Sequence, residues 1–336
     1  MSIEPPSRSR QPIRPAWSHE RLVHERSIAL GNSLDSSTRL TYNSHLQSYL
    51  AFCKAHNMPV DPTPDTLSFY VVYMAHYINP KSLPSYLSGI VSSIEHLFPE
   101  ARANRMASVV KRTLQGCQRL HPHETRRKRA LMYSDLDHLL SLTTISASWD
   151  DILFATITLT GFYGLLRLGE LVYPDAVASR NILKTIKRHS LELQANSYQF
   201  HLPAHKADRF FEGNVVLINS STTTADPLPL FKLYLQMRDN AYPHHIPLFL
   251  RRDGSIPVRA WFISRIKAMF PDNVAGHSLR SGGATALALS GVDDNHIQAM
   301  GRWSSDAYQM YIRKHPTLLH TLVTGRAAFS RPAHLV

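Results

Sequence analysis

Five side chains of this 336-residue sequence have the types that could together attack a phosphodiester without a metal ion. Arg167 comes first, His277 and Arg280 share a His-x-x-Arg motif, and Trp303 and Tyr311 follow them. Displacement at phosphorus builds negative charge on the non-bridging oxygens, which guanidinium groups bind bidentately. The indole N–H of Trp303 could donate a third bond. A phenol with a pKa of roughly 10 needs nearby cations and a base, so Tyr311 would be the nucleophile and His277 would accept its proton.

These residues resemble the catalytic half of a tyrosine recombinase. The resemblance rests on Arg-x-x-Glu at 167–170, on His-x-x-Arg-Ser-Gly-Gly at 277–283 and on the run from Arg-Trp to Tyr-Ile-Arg at 302–313. It implies that Tyr311 forms a 3′-phosphotyrosine with DNA, and that no metal ion, ATP or other cofactor takes part. In this family a lysine on a β-hairpin protonates the leaving 5′-oxygen, and Lys206 occupies that place.

Each motif also has an ordinary structural explanation when it is taken alone. Arg167 and Glu170 are one helical turn apart and could form a solvated ion pair. A catalytic interpretation instead predicts that Glu170 orients Arg167 or supports its helix. His277 could cap a helix, and Trp303 could belong to the apolar side of an amphipathic helix. The order and the intervals of all the motifs together favour the catalytic interpretation.

Two tyrosines compete for the role of nucleophile. In this family the nucleophile usually follows the histidine or tryptophan by nine positions, whereas Tyr311 follows Trp303 by eight and Tyr308 follows it by five. We predict Tyr311, because its Ile-Arg flank matches the family's habitual Tyr-Ile-Arg, and we predict that Tyr308 serves packing. The local sequences around Trp303 and around Lys206 resemble those of eukaryotic mobile-element recombinases of the Crypton type. This resemblance implies a nuclear location.

The charge balance predicts a polyanionic partner. Lysine and arginine outnumber acidic residues by 37 to 25, for a formal net charge of +12, and clustered cations gain affinity for nucleic acid by releasing counterions. The longest apolar run, residues 152–166, is too short to span a bilayer, so we expect a buried helix and no membrane partner. Cys53 and Cys117 are predicted to be reduced core residues, and neither they nor His201 and His205 predict a metal site.

The hydrophobic periodicity predicts a mainly α protein with a small β-sheet. Strands at 191–202 and 214–218 are expected to pair, with Lys206 in their connection. The predicted organisation is a disordered basic arm (1–34), a helical bundle (35–120), a basic linker (121–131) and an α+β domain with a C-terminal tail (132–336). The resemblance implies that the bundle is a core-binding, SAM-like domain and that the α+β domain is the tyrosine recombinase catalytic domain.

Basic residues on both domains are candidates for contacts with double-stranded DNA, which in this family is clamped between the two domains. One helix over 104–120 is predicted to carry three arginines seven residues apart on one face, and a helix over 257–267 to enter the major groove. Solvated basic faces are the alternative, and the run at 126–129 could also be a solvated linker or a nuclear localisation signal. The candidates are Lys81, Arg105, Arg112, Arg119, Arg126, Arg127, Arg259, Arg265 and Lys267.

The resemblance implies a site-specific DNA recombinase that acts as a DNA-bound tetramer. Leu318, Leu319, Leu322 and Val323 recur at helical spacing, and in this family such a tail docks on a neighbouring protomer; packing within the chain is the alternative. Two other functions stay open. One is a domesticated, non-catalytic DNA-binding protein on the same fold, and the other is a type IB topoisomerase activity, which strand exchange between two duplexes would distinguish from recombination.

Overall fold

The computed structural model describes residues 14–122, 128–146, 148–203, 213–270, 273–305 and 308–309. The chain divides into two compact units, Met1–Thr125 and Arg126–Val336. Both are predominantly helical, and a three-stranded sheet lies in the second. This architecture confirms the predicted fold class. Within the described ranges, no helix has the length and apolar character that crossing a membrane requires.

The first unit is a helical bundle. Helix α2 packs on α4 and α3 packs on α6, around a core that includes Tyr49, Tyr70 and Ile90. Cys53 and Cys117 are both buried in this core on separate helices, as predicted. The helices are α1 (His19–Gly31), α2 (Ser36–Ala55), α3 (Pro64–Ala75), α4 (Leu83–Ile94), α5 (Ala101–Arg105) and α6 (Ser108–Leu120).

A break at Met106 and Ala107 divides the segment 104–120, so the prediction of a single helix there was wrong. Ala101 and Val110 are both buried, yet nine residues of continuous α-helix would place them on opposite faces. The break turns both toward the core. Arg105 therefore lies on α5, where it donates to the carbonyl oxygen of Pro84 at 3.3 Å, while the exposed Arg112 and Arg119 share α6.

Helix α1 differs from the disordered arm predicted over residues 1–34. Its signals are local ones: the Ser18 hydroxyl accepts from the Arg21 N–H at 3.2 Å, and Glu20 lies in the first turn, where a carboxylate is favoured. None of its residues is buried. A search for hydrophobic periodicity misses such a helix, because no face of it packs on the bundle.

The second unit is built around α8, in which every residue from Ile152 to Phe162 is buried. This confirms the predicted buried helix. Helices α7, α10 and α12 pack against it. The helices are α7 (Tyr133–Ser146), α8 (Trp149–Tyr163), α9 (Leu168–Leu171), α10 (Pro227–Ala241), α11 (Arg259–Met269), α12 (His277–Leu289) and α13 (Asp294–Met300).

The sheet is antiparallel in the order β1 (Glu192–Leu193), β2 (Ser197–Leu202) and β3 (Asn214–Asn219). Phe200 pairs with Val216, which confirms the predicted hairpin. The ring of Tyr198 stacks on Phe231 of α10 at 3.9 Å and attaches the sheet to the helices. The connection from β2 to β3 spans residue 206, and residues 204–212 lie outside the described ranges.

The end of the predicted basic linker is fixed to the second unit. Arg129 forms an ion pair with Asp135 at 2.6 Å, and Lys128 donates to the side chain of Asn273 at 2.6 Å. Asp135 and Asn273 therefore bind Arg129 and Lys128, two residues of the run for which a solvated linker was one prediction. Arg126 and Arg127 lie outside the described residues.

A pair of glycines lets α12 approach the end of α8 closely. A Cβ at Gly282 would lie 2.9 Å from the Phe162 ring, and one at Gly283 would overlap the Phe162 carbonyl oxygen and come within 2.6 Å of Leu165. The backbone of α8 cannot move away without disturbing the core. The two glycines of the Ser-Gly-Gly that follows Arg280 are therefore required by packing.

Replacement of Gly283 by alanine is expected to lower the free energy of unfolding by about 3 kcal/mol, since overpacking against backbone is costly. Urea unfolding followed by circular dichroism measures the effect. Gly116→Ala is the matched control, because no atom lies within 4 Å of a Cβ at this α6 position; it is expected to stabilise the protein by up to about 1 kcal/mol through helix propensity. Equal stability of the two variants would contradict this account of the glycine pair.

Candidate active site

Arg167 is held at the N-terminus of the short helix α9. The Glu170 carboxylate accepts from the Arg167 guanidinium and from the Arg167 backbone N–H, both at 2.9 Å. The Glu170 side chain is 6% exposed and that of Arg167 is 25% exposed. The pair is therefore not the solvated surface pair of the ordinary explanation. One carboxylate fixes the arginine and also completes the helix start.

His277 begins α12 next to this helix. A Cβ at the preceding Gly276 would overlap the side chain of Leu168, so α9 and the start of α12 are in close contact. His277 is exposed, and its carbonyl accepts from the Ser281 hydroxyl at 3.1 Å. The imidazole is thus accessible beside the segment that carries Arg167.

Arg280 points into the protein from α12 and is only 1% exposed. Its guanidinium donates to the carbonyl oxygen of Leu165 at 3.0 Å and to that of Gly301. The same group lies 4.1 Å from the centre of the Trp303 ring, which is a cation–π distance. Arg280 therefore joins the segment before Arg167 to the segment that carries Trp303.

Trp303 and Tyr308 follow α13. The backbone N–H of Trp303 donates to the carbonyl oxygen of Gln298 at 3.1 Å, and the Trp303 ring lies 5.9 Å from that of Tyr308. Tyr308 is 3% exposed and packs in a small cluster with Leu165, Ala284 and Ile297. This environment is that of a packing residue.

Arg302 is a residue of this site that sequence reasoning did not select. Its guanidinium donates to the carbonyl oxygens of Gly164 at 3.0 Å and Leu165 at 3.3 Å. Burial lowers the pKa of the Arg302 guanidinium, the Glu170 carboxylate opposes that change, and Arg167 adds to it. Its place in the Arg-Trp motif was the available signal, but the motif does not reveal that the side chain is turned inward.

Two of the predicted catalytic residues, Lys206 and Tyr311, lie outside the described residues, as does the tail with Leu318 and Leu322. Of the others, Arg280 and Trp303 are in direct contact, and Arg280 shares the Leu165 carbonyl as acceptor with Arg302. The charge of Arg167 reaches Arg302. Three guanidinium groups from three segments thus lie near one turn, with the Glu170 carboxylate paired to Arg167.

The candidate DNA-binding residues of the second unit differ in whether they already contact other side chains of the protein. Arg265 pairs with Asp151 and lies 5.0 Å from the Trp261 ring centre, so its charge is already partly compensated. Arg259 and Lys267 are exposed on the same helix, α11. In the first unit Lys81 is exposed beside α4. Across the described ranges, no three His, Cys, Asp or Glu side chains are grouped as a metal site would need.

Comparison with known proteins finds similarity in structure. No protein-family profile and no curated protein matches the sequence. The Tn1549 transposon integrase in complex with transposon right end DNA is 11% identical with a TM-score of 0.60, over 92% of this chain and 99% of that one. The XerH site-specific recombinase bound to its palindromic difH substrate is 14% identical with a TM-score of 0.55, over 86% of this chain and 78% of that one.

A lambda integrase dimer bound to a COC′ core site is 15% identical with a TM-score of 0.53, over 87% of this chain and 76% of that one. Identities this low establish the fold and leave the chemistry to be argued from the residues. The similarity extends over both units of the chain in each comparison. The chain therefore has the fold of the tyrosine recombinases and integrases.

Proposed function

We propose that this protein cuts and rejoins DNA as a site-specific tyrosine recombinase. The observation that carries the proposal is that Arg280 contacts both the Trp303 ring and the Leu165 carbonyl, two residues before Arg167, within a recombinase fold. Surface ion pairs would not need such a placement. Fixed guanidinium groups near the reacting phosphate are what a phosphoryl transition state requires.

In the proposed reaction the Tyr311 oxygen attacks phosphorus and the bond to the 5′-oxygen breaks. The product is a 3′-phosphotyrosine and a 5′-hydroxyl. His277 accepts the tyrosine proton, and Lys206 supplies the proton to the leaving oxygen. Religation is the reverse step, with the 5′-hydroxyl as nucleophile, so no external energy source enters the balance.

Arg280 imposes a condition on this mechanism. At 1% exposure, its guanidinium can meet a phosphate only after a neighbouring group moves, and the Trp303 ring lies 4.1 Å from it. A guanidinium carries five N–H donors, so contact with phosphate need not break both carbonyl bonds. We therefore expect DNA to displace the Trp303 side chain as the site assembles, while the backbone of its segment stays in place.

Duplex DNA is the proposed partner. The exposed Arg112 and Arg119 of α6 and the exposed Arg259 and Lys267 of α11 supply cations for the phosphate backbone. A lambda integrase tetramer has been solved on a Holliday junction. We extend that assembly to this chain, as a DNA-bound tetramer joined by its C-terminal tail, and we place it in the nucleus as a Crypton-like mobile-element enzyme.

Trapping of a covalent adduct tests the proposal. Nicked suicide duplexes, cut from the genomic flanks of the coding sequence, release a short 5′-hydroxyl fragment after cleavage and prevent religation. The expected result is a protein–DNA adduct that survives denaturing electrophoresis, forms in the presence of EDTA and needs no ATP. Tight binding without adduct would favour the non-catalytic DNA-binding protein, and relaxation of supercoils without strand exchange would favour a topoisomerase.

A further inference from the structure

Two turns beside the candidate site have strained backbones. Leu165 has φ +49° and Arg302 has φ +55°, both in the left-handed region that residues other than glycine seldom occupy. Leu165 lies two residues before Arg167, and Arg302 directly precedes Trp303. Such conformations persist only where the surrounding structure holds them, and they concentrate at functional sites.

The Arg302 side chain connects these two turns. From its own turn it reaches the carbonyl oxygens of Gly164 at 3.0 Å and Leu165 at 3.3 Å. Arg280 reinforces the connection from α12, with bonds to the Leu165 and Gly301 carbonyls. Arg280 and Arg302 therefore brace the turn before Arg167 against the turn before Trp303, which we call the arginine brace.

The brace is costly for a purely structural device. Arg302 lies close to two like charges, Arg167 and Arg280. The Glu170 carboxylate offsets the effect of Arg167, but the repulsion from Arg280 is poorly screened because both groups are partly buried. Its Nε is buried and has no hydrogen-bond partner within the described part of the chain, although a buried polar group without a partner is unfavourable. A neutral donor could satisfy the same two carbonyls without this repulsion.

We propose that Arg302 is a positioning residue that fixes the turn carrying Arg167 relative to the segment carrying Trp303. Arg302 acts through these residues and does not itself contact the phosphate. Its Nη2 is occupied by the Gly164 and Leu165 carbonyls, so the group is anchored on the side of the first arginine. The catalytic consequence rests on the proposed recombinase function, whereas the brace itself does not.

The catalytic test compares Arg302→Ala, Arg302→Lys and wild type in single-turnover adduct formation and in DNA affinity. We expect Arg302→Ala to slow adduct formation about 100-fold, the order of loss that misplacement of reacting groups produces, with the Kd for the same duplex changed less than about twofold. Arg302→Lys keeps a cation that can bond one carbonyl, and it should recover about tenfold of the rate.

Arg180→Ala is the matched control. The Arg180 guanidinium also donates to two backbone carbonyls, those of Pro174 at 3.2 Å and Asp175 at 3.1 Å, but it is exposed. Its removal is expected to leave both the rate and the Kd unchanged. A Kd raised about 100-fold in Arg302→Ala with an unchanged rate constant would overturn the proposal, because it would make Arg302 a DNA contact.

Hydrogen–deuterium exchange tests the brace without any DNA. The amides of Leu166 and Arg167 are hydrogen-bonded to the Gly161 carbonyl and to Glu170. Arg302→Ala should accelerate exchange in peptides covering 164–167 by about tenfold, with Arg302→Lys intermediate and Arg180→Ala unchanged.

Unaltered exchange in Arg302→Lys and Arg302→Ala would overturn the brace even if wild type cleaves DNA. Accelerated exchange in a wild-type background that forms no adduct would uphold the brace and reject the recombinase function. If Arg302→Ala does not fold, Arg302→Lys decides both measurements.

Discussion

Replacement of Tyr311 by phenylalanine is expected to abolish the covalent protein–DNA adduct, with a loss of at least about a thousandfold in its rate of formation. The change removes one oxygen atom, which is the nucleophile in the proposed reaction, and keeps the ring. DNA binding should therefore remain. Suicide-substrate trapping measures the adduct, and a mobility-shift titration on the same duplex measures the Kd.

Tyr308→Phe provides the matched control, since it removes the phenolic oxygen of the other candidate tyrosine, five positions after Trp303. Tyr308 lies 3% exposed against Leu165 and the Trp303 ring, where phenylalanine packs equally well. We expect the adduct to form within a few-fold of the wild-type rate. Loss of adduct only in Tyr308→Phe would instead make Tyr308 the nucleophile and reject our assignment of the last motif.

Arg280→Ala is expected to lower both the stability of the protein and its rate of adduct formation. The loss leaves the carbonyls of Leu165 and Gly301 without this donor and removes the cation from the Trp303 ring. We expect the free energy of unfolding to fall by about 3 kcal/mol, because bonds to a buried charged group are lost. Adduct formation should fall at least about 100-fold, since a transition-state donor is also lost.

Arg280→Lys separates the two effects. Lysine keeps the charge and one or two hydrogen bonds but cannot bind phosphate with a planar, bidentate fork. The variant should therefore regain most of the lost stability, measured by urea unfolding, and still form adduct at least about 100-fold more slowly than wild type. Wild-type adduct formation in Arg280→Lys would limit Arg280 to its structural bonds and leave phosphate binding to Arg167.

Periodicity predicted the elements whose burial is one-sided or complete. The run from Ile152 to Phe162 is buried throughout, and the hairpin pairs as its alternation indicated. Periodicity failed where packing between helices determines the position of a helix break, and where a helix has no buried face. The break at Met106 and Ala107 exists because Ala101 and Val110 must both face the core, and helix α1 has caps but no buried face.

The sequence predicted which residue types belong to the candidate site, but not how they are buried or what they contact. Motif order selected Arg167, His277, Arg280 and Trp303, but the sequence contains no sign that Arg280 would be 1% exposed. Arg302 was missed because its importance lies in a positive φ and in bonds to carbonyls 137 and 138 residues away. Backbone strain and long-range carbonyl contacts leave no local pattern.

The burial of Cys53 and Cys117 has a practical consequence. They are the two cysteines of the whole chain, and burial raises the pKa of both thiols, so little reactive thiolate forms near neutral pH. The native protein should be almost silent toward maleimide dyes. A cysteine placed at the exposed Ser264 of α11 would then be the one accessible thiol, and a fluorophore there would report the approach of a duplex to this helix in the otherwise unaltered protein.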